Sequence, residues 1–316
     1  MSRKQKMKKF KRERIHVFFI LLMIAASGRA IVSGQEKQPQ QPRKSFAELV
    51  NMPVVYTVPG MNAVKIKKDI VYKTDAGVDL KMDIYTPPRL TKGEKRPAVF
   101  FIHGGTPLEN RPKDWGVFAS WGKLVGASDM IGVVFTHRMG FPKPEIALGE
   151  RDLNDAINYL RNNADALNVD KDRIALVTFS AGGPLLSVPM RETPSFVRAL
   201  VAFYSFLDVQ QSEMHRRTVG DAEILKKYSP ISYLAPNASR LPPIFIARAG
   251  RDEIPGLNEA ADRFVAEALS KNVNVEVMNH PAGVHGFDNQ TDDARSKEII
   301  RRALDFLRSN LAAQKP

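Results

Sequence analysis

The segment Ile174–Pro184, IALVTFSAGGP, joins an apolar run rich in β-branched residues to a serine that is followed at once by small residues. An apolar run of this length that ends in a turn is typical of a strand buried on both faces. The small residues Ala181, Gly182 and Gly183 allow a following helix to pass close to the strand, because they add little or no side chain at the turn. The segment therefore predicts a strand–turn–helix unit that presents the Ser180 hydroxyl at the end of a sheet.

Apolar runs of the same kind recur along the chain and alternate with segments of helical periodicity. Strands are predicted at 65–74, 78–88, 97–105, 131–137, 173–180, 196–206, 242–250 and 273–280, and the clearest helices at 153–167, 257–271 and 294–311. Strands that alternate with helices form mostly parallel sheets with helices on both faces. The sequence therefore predicts an α/β fold in a single domain, residues 45–316.

The composition is that of a globular protein, and its excess of positive charge lies near the N-terminus. Apolar residues make up 43% of the 316 residues and charged residues 26%. Residues 1–44 account for most of the net charge of +13, with twelve Lys or Arg against two Glu. Because the rest of the chain is nearly neutral, it offers no basic patch for nucleic acid. The absence of cysteine excludes disulfides, thiolate metal sites and cysteine nucleophiles.

Residues 1–34 have the three-part layout of a secretory signal peptide. A basic stretch precedes the apolar run Val17–Ala26, and small residues follow, with candidate cleavage points after Ala30 and Gly34. The apolar run is shorter than the roughly 20 residues that span a bilayer, which favours a cleaved signal over an uncleaved anchor. Residues 35–44 are rich in Pro and Gln and are interpreted as a flexible linker. We therefore expect a secreted or periplasmic protein that is not held at a membrane after cleavage.

Polar side chains suited to acyl transfer follow four of the predicted buried strands. His103 and two glycines follow one strand, Ser180 follows another, and Asp252 and His285 follow the last two. Because ligands bind at the carboxyl ends of parallel strands, we expect these side chains to meet at one edge of the sheet. A serine hydroxyl needs an imidazole to take its proton, and the imidazole needs a carboxylate to orient it. The pattern therefore predicts a catalytic triad of these last three residues.

Acyl transfer also needs backbone N–H groups that stabilise the oxyanion of a tetrahedral intermediate. Ala181 begins the helix after the serine, so its N–H is one candidate donor. The turn at Gly104 and Gly105 supplies the other, because glycine lets the backbone approach a substrate closely. His103 is expected to order this turn and not to transfer protons.

These residues together resemble the serine esterases and lipases of the α/β-hydrolase superfamily, near its acetyl-esterase and dienelactone-hydrolase-like branches. The resemblance extends from Val64 to Leu311 and rests on the segments FFIHGG, RIALVTFSAGG, SPISYL, AGRDEIPGLN and AGVHGFD. It implies an α/β-hydrolase fold in which Ser180 is the nucleophile, Asp252 the acid and His285 the base.

The sequence departs from that family pattern at two points, and the segment that could cover the predicted site is short. Thr178 stands where the pattern Gly-x-Ser-x-Gly has its first glycine, so a β-branched residue crowds the turn. Dienelactone hydrolases themselves use a cysteine nucleophile, which this chain lacks. The segment Leu207–Pro242 occupies the usual place of a lid and is too short for a large cap domain. An open or lightly covered site is therefore expected.

Each member of the predicted triad has an alternative interpretation. Ser180 by itself also suits the N-cap of a helix. Glu253 is the alternative to Asp252 as the acid, and His280, at the end of the last strand, is the alternative to His285 as the base. We favour His285 because it lies further into the loop and is followed by Gly-Phe.

The remaining histidines and the two tryptophans are given structural interpretations. His137 ends a predicted strand, and His215 is predicted on a polar loop of the lid segment. Trp115 and Trp121 are expected in the core, with the wall of an acyl pocket as their alternative. No cluster of His, Asp and Glu shows the spacing of a metal site, so neither a metal nor another cofactor is expected.

The sequence therefore predicts an exported serine hydrolase that cleaves carboxylic esters of short acyl groups through an acyl-enzyme. Small-molecule or carbohydrate esters are the expected substrates. A peptidase of the prolyl-oligopeptidase kind is a rival interpretation, although such enzymes usually carry a large propeller domain for which this chain has no room. A non-catalytic binding protein on the same fold is a second rival, because a fold does not fix a function. That rival predicts a broken triad.

Overall fold

A computed structural model describes residues 45–91, 93–140 and 144–313 of the protein, and its centre is one eight-stranded β-sheet. Every strand overlaps one of the predicted segments, so the α/β prediction is confirmed. The predicted signal peptide and linker lie outside the described residues. The strands are β1 (Lys65–Asp75), β2 (Val78–Thr86), β3 (Arg96–Ile102), β4 (Ile131–Phe135), β5 (Val169–Phe179), β6 (Val197–Phe203), β7 (Ile244–Ala249) and β8 (Val275–His280).

The sheet has the strand order β1-β2-β4-β3-β5-β6-β7-β8. β2 pairs antiparallel with both β1 and β4, whereas all the other neighbouring strands are parallel. In the centre, Val177 of β5 lies between Phe101 of β3 and Val201 of β6. Since β3, β5, β6, β7 and β8 run in the same direction, their carboxyl ends lie along one edge of the sheet. The four segments predicted to carry the site follow β3, β5, β7 and β8 at this edge.

The central strands are buried on both faces, as their continuous apolar runs predict. Alternate side chains of one strand enter different clusters of the core: Val99 and Phe101 of β3 pack on one face, and Phe100 and Ile102 on the other. This alternation follows from the two-residue period of a strand. Both faces therefore need a cover of helices.

Helices cover both of these faces. α2 and α10 pack into one cluster of the core and α3 into the other. The α-helices are α1 (Phe46–Asn51), α2 (Gly116–Ala127), α3 (Ile146–Asn162), α4 (Ser187–Glu192), α5 (Glu213–Val219), α6 (Ala222–Lys227), α7 (Leu234–Asn237), α8 (Leu257–Ser270), α9 (Phe287–Gln290) and α10 (Ala294–Leu311). Short 3₁₀ helices occupy Met61–Ala63, Leu108–Asn110, Pro112–Asp114, Ser180–Leu186 and Pro230–Tyr233.

The helix predictions differ in accuracy. α10 has the predicted bounds, and α8 ends one residue before its prediction. α3 begins at Ile146 and ends at Asn162, whereas the prediction ran from 153 to 167. Leu167 is buried in the turn that follows α3, which explains why it matched the apolar spacing of the helix.

The lid segment between β6 and β7 folds into the short helices α5, α6 and α7 and one 3₁₀ helix. It forms no large cap domain, in agreement with the sequence prediction. Over the described residues, no helix combines the length and the apolar character needed to cross a membrane.

Candidate active site

The chain turns sharply at Ser180, directly after β5. Ser180 has a φ of +54°, in the left-handed region that few residues other than glycine adopt, and it begins the 3₁₀ helix Ser180–Leu186. Such strain persists only where the surroundings enforce it, and it is frequent at functional sites. A Cβ atom at Gly182 would lie 2.7 Å from both the His103 carbonyl oxygen and Thr178 Oγ1, so only glycine fits there. The strand–turn–helix unit predicted from the sequence is therefore present.

The side chains of Ser180, His285 and Asp252 form one chain of hydrogen bonds. His285 Nε2 lies 2.9 Å from Ser180 Oγ, and His285 Nδ1 lies 2.7 Å from Asp252 Oδ2. A carboxylate only accepts, so Nδ1–H donates to Asp252, and Nε2 is then the nitrogen that accepts from the serine hydroxyl. The Asp252 side chain is fully buried, whereas the imidazole is 28% exposed. The arrangement gives the hydroxyl a base that a substrate can reach.

Backbone hydrogen bonds hold the two loops that carry the acid and the base beside each other. The Gly250 N–H donates to the His280 carbonyl oxygen at 2.9 Å, and the Arg251 N–H donates to the Gly283 carbonyl oxygen at 2.8 Å. The second oxygen of Asp252 accepts from the Ile254 N–H at 2.9 Å. The carboxylate is thus fixed from its own loop while it orients the imidazole.

The alternatives to the predicted triad lie elsewhere in the structure. Phe179, and not Ser180, occupies the N-cap position of the 3₁₀ helix. Glu253 is exposed. His280 is buried, and its Nε2 lies 3.2 Å from Asp293 Oδ1 and 3.1 Å from a serine hydroxyl of α10, away from Ser180.

The glycine turn after β3 lies directly beside the serine. A Cβ atom at Gly104 would lie 3.1 Å from Ser180 Cβ. Gly105 and Ala181 line the same small cavity. The Ala181 N–H belongs to the first turn of its helix, where N–H groups have no acceptor within the helix. The three residues predicted for an oxyanion site therefore lie close to Ser180.

A pair of buried histidines supports this turn. His103 Nδ1 donates to the Gly104 carbonyl oxygen at 2.7 Å, and the His103 and His137 rings stack with centroids 3.6 Å apart. His137 Nε2 contacts the His103 carbonyl oxygen at 3.2 Å. Burial lowers the pKa of His137 to about 4 and that of His103 well below its usual value. Both rings are therefore neutral at pH 7, which agrees with a structural task for each.

A small cavity with almost entirely apolar walls lies beside Gly105 and Ala181, the residue after Ser180. Its volume is about 10 Å³, which is close to the room that one water molecule needs. Helix α5 contributes Met214, His215 and Thr218 to its wall. The described lining is completed by Gly105, Met139, Gly140, Pro144, Ile146, Ala181 and Pro184.

The structure corrects the interpretation of His215. The sequence predicted this residue on a polar loop, but it lies within α5 and is only 2% exposed. Its ring packs edge-on against Phe206, and burial lowers its pKa to about 4. Trp121 is buried in the core as expected, whereas Trp115 is partly exposed and donates to the Asn110 carbonyl oxygen.

Two residues that the sequence pattern did not point to also lie behind the imidazole. The Tyr204 ring contacts the His285 ring edge-on, with centroids 4.7 Å apart, and the Tyr204 hydroxyl donates to the buried carboxylate of Asp288. The one signal for Asp288 was its position three residues after His285. Among the described residues, no group of three or more His, Cys, Asp or Glu side chains could hold a metal ion.

Comparisons with known proteins agree with this fold and site. Esterase LipQ of Mycobacterium tuberculosis is 25% identical over 256 residues, which cover 72% of this chain and 58% of LipQ. Carboxylesterase 3B of Mus musculus is 26% identical over 119 residues, or 34% of this chain and 20% of that protein. The chain therefore spans just over half of LipQ and a fifth of the carboxylesterase.

Solved structures of similar fold include a thermophilic esterase, Est2, from Thermogutta terrifontis. The native form superposes with a TM-score of 0.63 at 22% identity, covering 82% of this chain and 97% of Est2. Its propionate-bound form gives a TM-score of 0.63 at 23% identity, over 81% and 98% of the two chains. The fold is thus that of the α/β-hydrolases, and the predicted resemblance to their serine esterases is confirmed. The family model BD-FAE matches residues 82–262, more than half of the sequence, so the chain belongs to the BD-FAE family.

Proposed function

We propose that this protein hydrolyses carboxylic esters of short acyl groups, with Ser180 as nucleophile, His285 as general base and Asp252 as the acid that orients the base. The observation that carries the proposal is the line of hydrogen bonds Ser180 Oγ–His285 Nε2 and His285 Nδ1–Asp252 Oδ2, at 2.9 and 2.7 Å. The names of the relatives, esterase and carboxylesterase, support the same reaction class.

The reaction proceeds in two halves. Ser180 Oγ attacks the ester carbonyl carbon while His285 Nε2 takes the hydroxyl proton, and the carbonyl oxygen becomes an oxyanion. Collapse of this intermediate breaks the bond to the alcohol oxygen, which leaves with the proton from His285, and the acyl group stays on Ser180. Water then attacks the acyl-enzyme with the same base, and the acid is released.

The oxyanion is stabilised by backbone N–H groups. The N–H of Ala181 and an N–H of the Gly104–Gly105 turn are the donors in this proposal, since these residues lie against the serine. Removing one such donor in other enzymes costs about 3–4 kcal/mol of transition-state stabilisation. A Cβ atom at Gly104 would lie 3.1 Å from Ser180 Cβ, so a larger residue in the turn would press on the serine.

The size of the cavity points to short acyl groups. Its walls are apolar, and a volume of about 10 Å³ holds little more than one methyl-sized group. The methyl group of an acetyl ester matches this size better than a longer acyl chain does. The propionate-bound form of Est2 supports the assignment of short acids to this fold.

We also propose that the protein is exported through its N-terminal signal peptide, so that a carbohydrate ester outside the cytoplasm is a fitting substrate. The basic stretch, apolar run and small residues within residues 1–34 support this route. N-terminal sequencing of the protein recovered from outside the cytoplasm tests it. A mature protein that begins near residue 31 or 35 is expected, and one that retains Met1 would contradict it.

Labelling by a fluorophosphonate tests the triad. The reagent phosphonylates a serine with loss of fluoride, and it does so efficiently only where a base and an oxyanion site are in place. We expect stoichiometric labelling at Ser180, none in Ser180→Ala, and strongly slowed labelling in His285→Ala. His280→Ala is the matched control and should label nearly as fast as the parent, because its imidazole does not reach the serine.

Hydrolysis of p-nitrophenyl esters from acetate to octanoate then tests the substrate class, with acetate as the expected optimum. Folded parent protein that does not label and hydrolyses none of these esters would favour a non-catalytic binding protein. Normal labelling of His285→Ala together with failure of His280→Ala would show that the base is His280.

A further inference from the structure

A second buried carboxylate, Asp288, lies close behind the triad histidine. Asp288 is 0% exposed and lies in α9, three residues after His285. Its Oδ1 accepts from the Tyr204 hydroxyl at 2.6 Å, and its Oδ2 accepts from Trp121 Nε1–H at 2.8 Å. Its backbone carbonyl oxygen accepts from the Val55 N–H at 2.8 Å. The residue is thus held by three separate parts of the chain.

Both oxygens of Asp288 act as acceptors, which is the pattern of an ionised carboxylate. The Trp121 indole N–H can only donate. Burial and the neighbouring carboxylates raise the pKa of Tyr204 well above its usual value, so the phenol keeps its proton and remains a donor. Burial raises the pKa of Asp288, and the hydrogen bonds from Trp121 and Tyr204 offset part of this loss of water. Asp288, with its hydrogen bonds to Trp121 and Tyr204, is therefore a fixed group within the core, here called the anchor.

Tyr204 connects this anchor to the imidazole. Its ring meets the His285 ring edge-on, with centroids 4.7 Å apart and planes at 63°. Tyr204 has a φ of +35°, and its N–H donates to the Ala247 carbonyl oxygen of β7 at 2.8 Å. A tyrosine rarely adopts a positive φ, and such backbone persists where the surroundings enforce it. Hydrogen bonds from the Tyr204 N–H and from its hydroxyl hold the residue in this backbone conformation.

We propose that Tyr204 and Asp288 are positioning residues for His285: Asp288 fixes the Tyr204 ring, and that ring holds the imidazole in line between Ser180 and Asp252. This role rests on the proposed function, since it matters to catalysis only if His285 is the base. Without the ring, the imidazole would be fixed on one side by the bond to Asp252 while its face could tilt. A small displacement of a catalytic group is enough to slow a reaction by orders of magnitude.

Three variants separate positioning from packing. Tyr204→Leu removes the ring, Tyr204→Phe keeps the ring but loses the bond to Asp288, and Asp288→Asn removes the charge while keeping an acceptor. Tyr228→Phe is the matched control, because it also removes a buried phenol that donates to a carboxylate, that of Glu150, far from His285 in the sequence and outside its contacts.

The rate of each variant is measured per active site titrated with the fluorophosphonate, so that misfolded protein does not count. We expect kcat to fall about 100-fold in Tyr204→Leu and about 5- to 10-fold in Tyr204→Phe and Asp288→Asn, with KM nearly unchanged. Tyr228→Phe should keep the parent kcat even if it melts earlier. A higher kcat in Tyr204→Phe than in Tyr204→Leu would show that the ring, and not only the hydroxyl, positions His285. Parent-like kcat per site in both Tyr204 variants would overturn the proposal.

A spectroscopic measurement tests the same proposal without any ester turnover. The His285 Nδ1–H, bonded to Asp252, should give a low-field proton NMR signal that is missing in His285→Ala. We expect this signal to exchange faster with water in Tyr204→Leu and Asp288→Asn and to be unchanged in Tyr228→Phe. A parent that hydrolyses no ester but shows this response would contradict the proposed function alone. If the parent hydrolyses esters but the signal exchanges at the parent rate in both Tyr204→Leu and Asp288→Asn, the positioning role alone is contradicted.

Discussion

A Cβ atom at Gly183 would lie only 2.2 Å from the carbonyl oxygen of Phe206. The turn after Ser180 therefore runs directly against the segment that follows β6, and the Phe206 N–H donates to the Ser180 carbonyl oxygen at 3.1 Å. This contact is a physical reason for the run of small residues after the serine. It also couples the backbone of Ser180 to the residue that directly precedes the lid segment.

Replacing Gly183 by alanine should destabilise the protein and misplace the nucleophile. The added methyl group meets the backbone of Phe206, which cannot move aside as a flexible side chain would. We expect the free energy of unfolding to fall by about 3 kcal/mol or more, at the upper end of overpacking effects. Urea denaturation measures this loss. Gly140→Ala is the control, since its new Cβ would lie 4.0 Å from the Arg138 carbonyl oxygen, the nearest atom in the described part of the chain, and it should keep parent stability. Equal stability of the two variants would show that the turn is looser than described.

The strands could be predicted because buried strands have a recognisable apolar sequence pattern. β4 is a continuous apolar run, and β3 is one after Arg96; in a chain of alternating strands and helices, short runs of this kind form buried strands. α2 was not predicted for the opposite reason. Its sequence GVFASWGKLVGA is apolar on most sides and contains three glycines, so it shows little helical periodicity and low helix propensity. Packing against β2 and β4 stabilises it instead, with Gly122 against the Tyr85 ring.

The meeting of Ser180, His285 and Asp252 could be predicted because each follows a buried strand, whereas the residues around them depend on contacts that sequence patterns do not reveal. Tyr204, whose ring contacts His285, has a positive φ that no sequence pattern indicates. His215 lies among charged residues in the sequence, which suggested a polar loop, yet its side chain is buried in the structure. Such placements follow from the tertiary packing of short helices and not from local propensity.

Thr178 provides a prediction about the unusual first position of the turn. Its Oγ1 is buried and has no hydrogen-bond partner among the residues that the structure describes. Thr178→Val removes this hydroxyl at nearly constant shape, so the free energy of unfolding should rise by about 1 kcal/mol, the cost of a buried unsatisfied group. Ser187→Ala is the control: its hydroxyl donates to the Pro184 carbonyl oxygen, so its loss should lower stability by a similar amount. A destabilised Thr178→Val would mean that the threonine hydroxyl has a partner in solution. Fluorophosphonate labelling should be unaffected in Thr178→Val.

Met214 on α5 should set the upper limit of acyl length. It lines the small apolar cavity beside Gly105 and Ala181, so Met214→Ala lengthens the space open to an acyl chain. We expect the ratio of kcat/KM for butyrate over acetate to rise about 10-fold, the discrimination typical of one or two methylene groups. The p-nitrophenyl ester series measures it. Met190→Ala, which removes a core methionine outside the cavity, should lose stability but keep the parent ratio. An unchanged ratio in Met214→Ala would place the acyl group elsewhere.

The buried histidines predict a loss of stability in acid. Burial lowers the pKa of His137 and of His215 to about 4, and that of His103 well below its usual value, whereas each titrates near 6.5 in the unfolded chain. Between these values the unfolded chain binds more protons than the folded one. The stabilisation from neutral burial is therefore complete above about pH 6.5 and is lost as the pH falls toward 4.

One substitution isolates the share of His215 in this acid sensitivity. His215→Asn keeps an amide near the Ser212 hydroxyl, which the imidazole contacts at 2.8 Å, but it cannot be protonated. We expect the loss of unfolding free energy between pH 7 and pH 5 to be smaller in this variant than in the parent by about 1–2 kcal/mol. Urea denaturation at the two pH values measures both losses. Tyr228→Phe, which removes no histidine, should lose as much stability as the parent over the same range. A parent-sized loss in His215→Asn would mean that the folded protein binds a proton at His215 near pH 6.5, so that the ring is not buried in its neutral form.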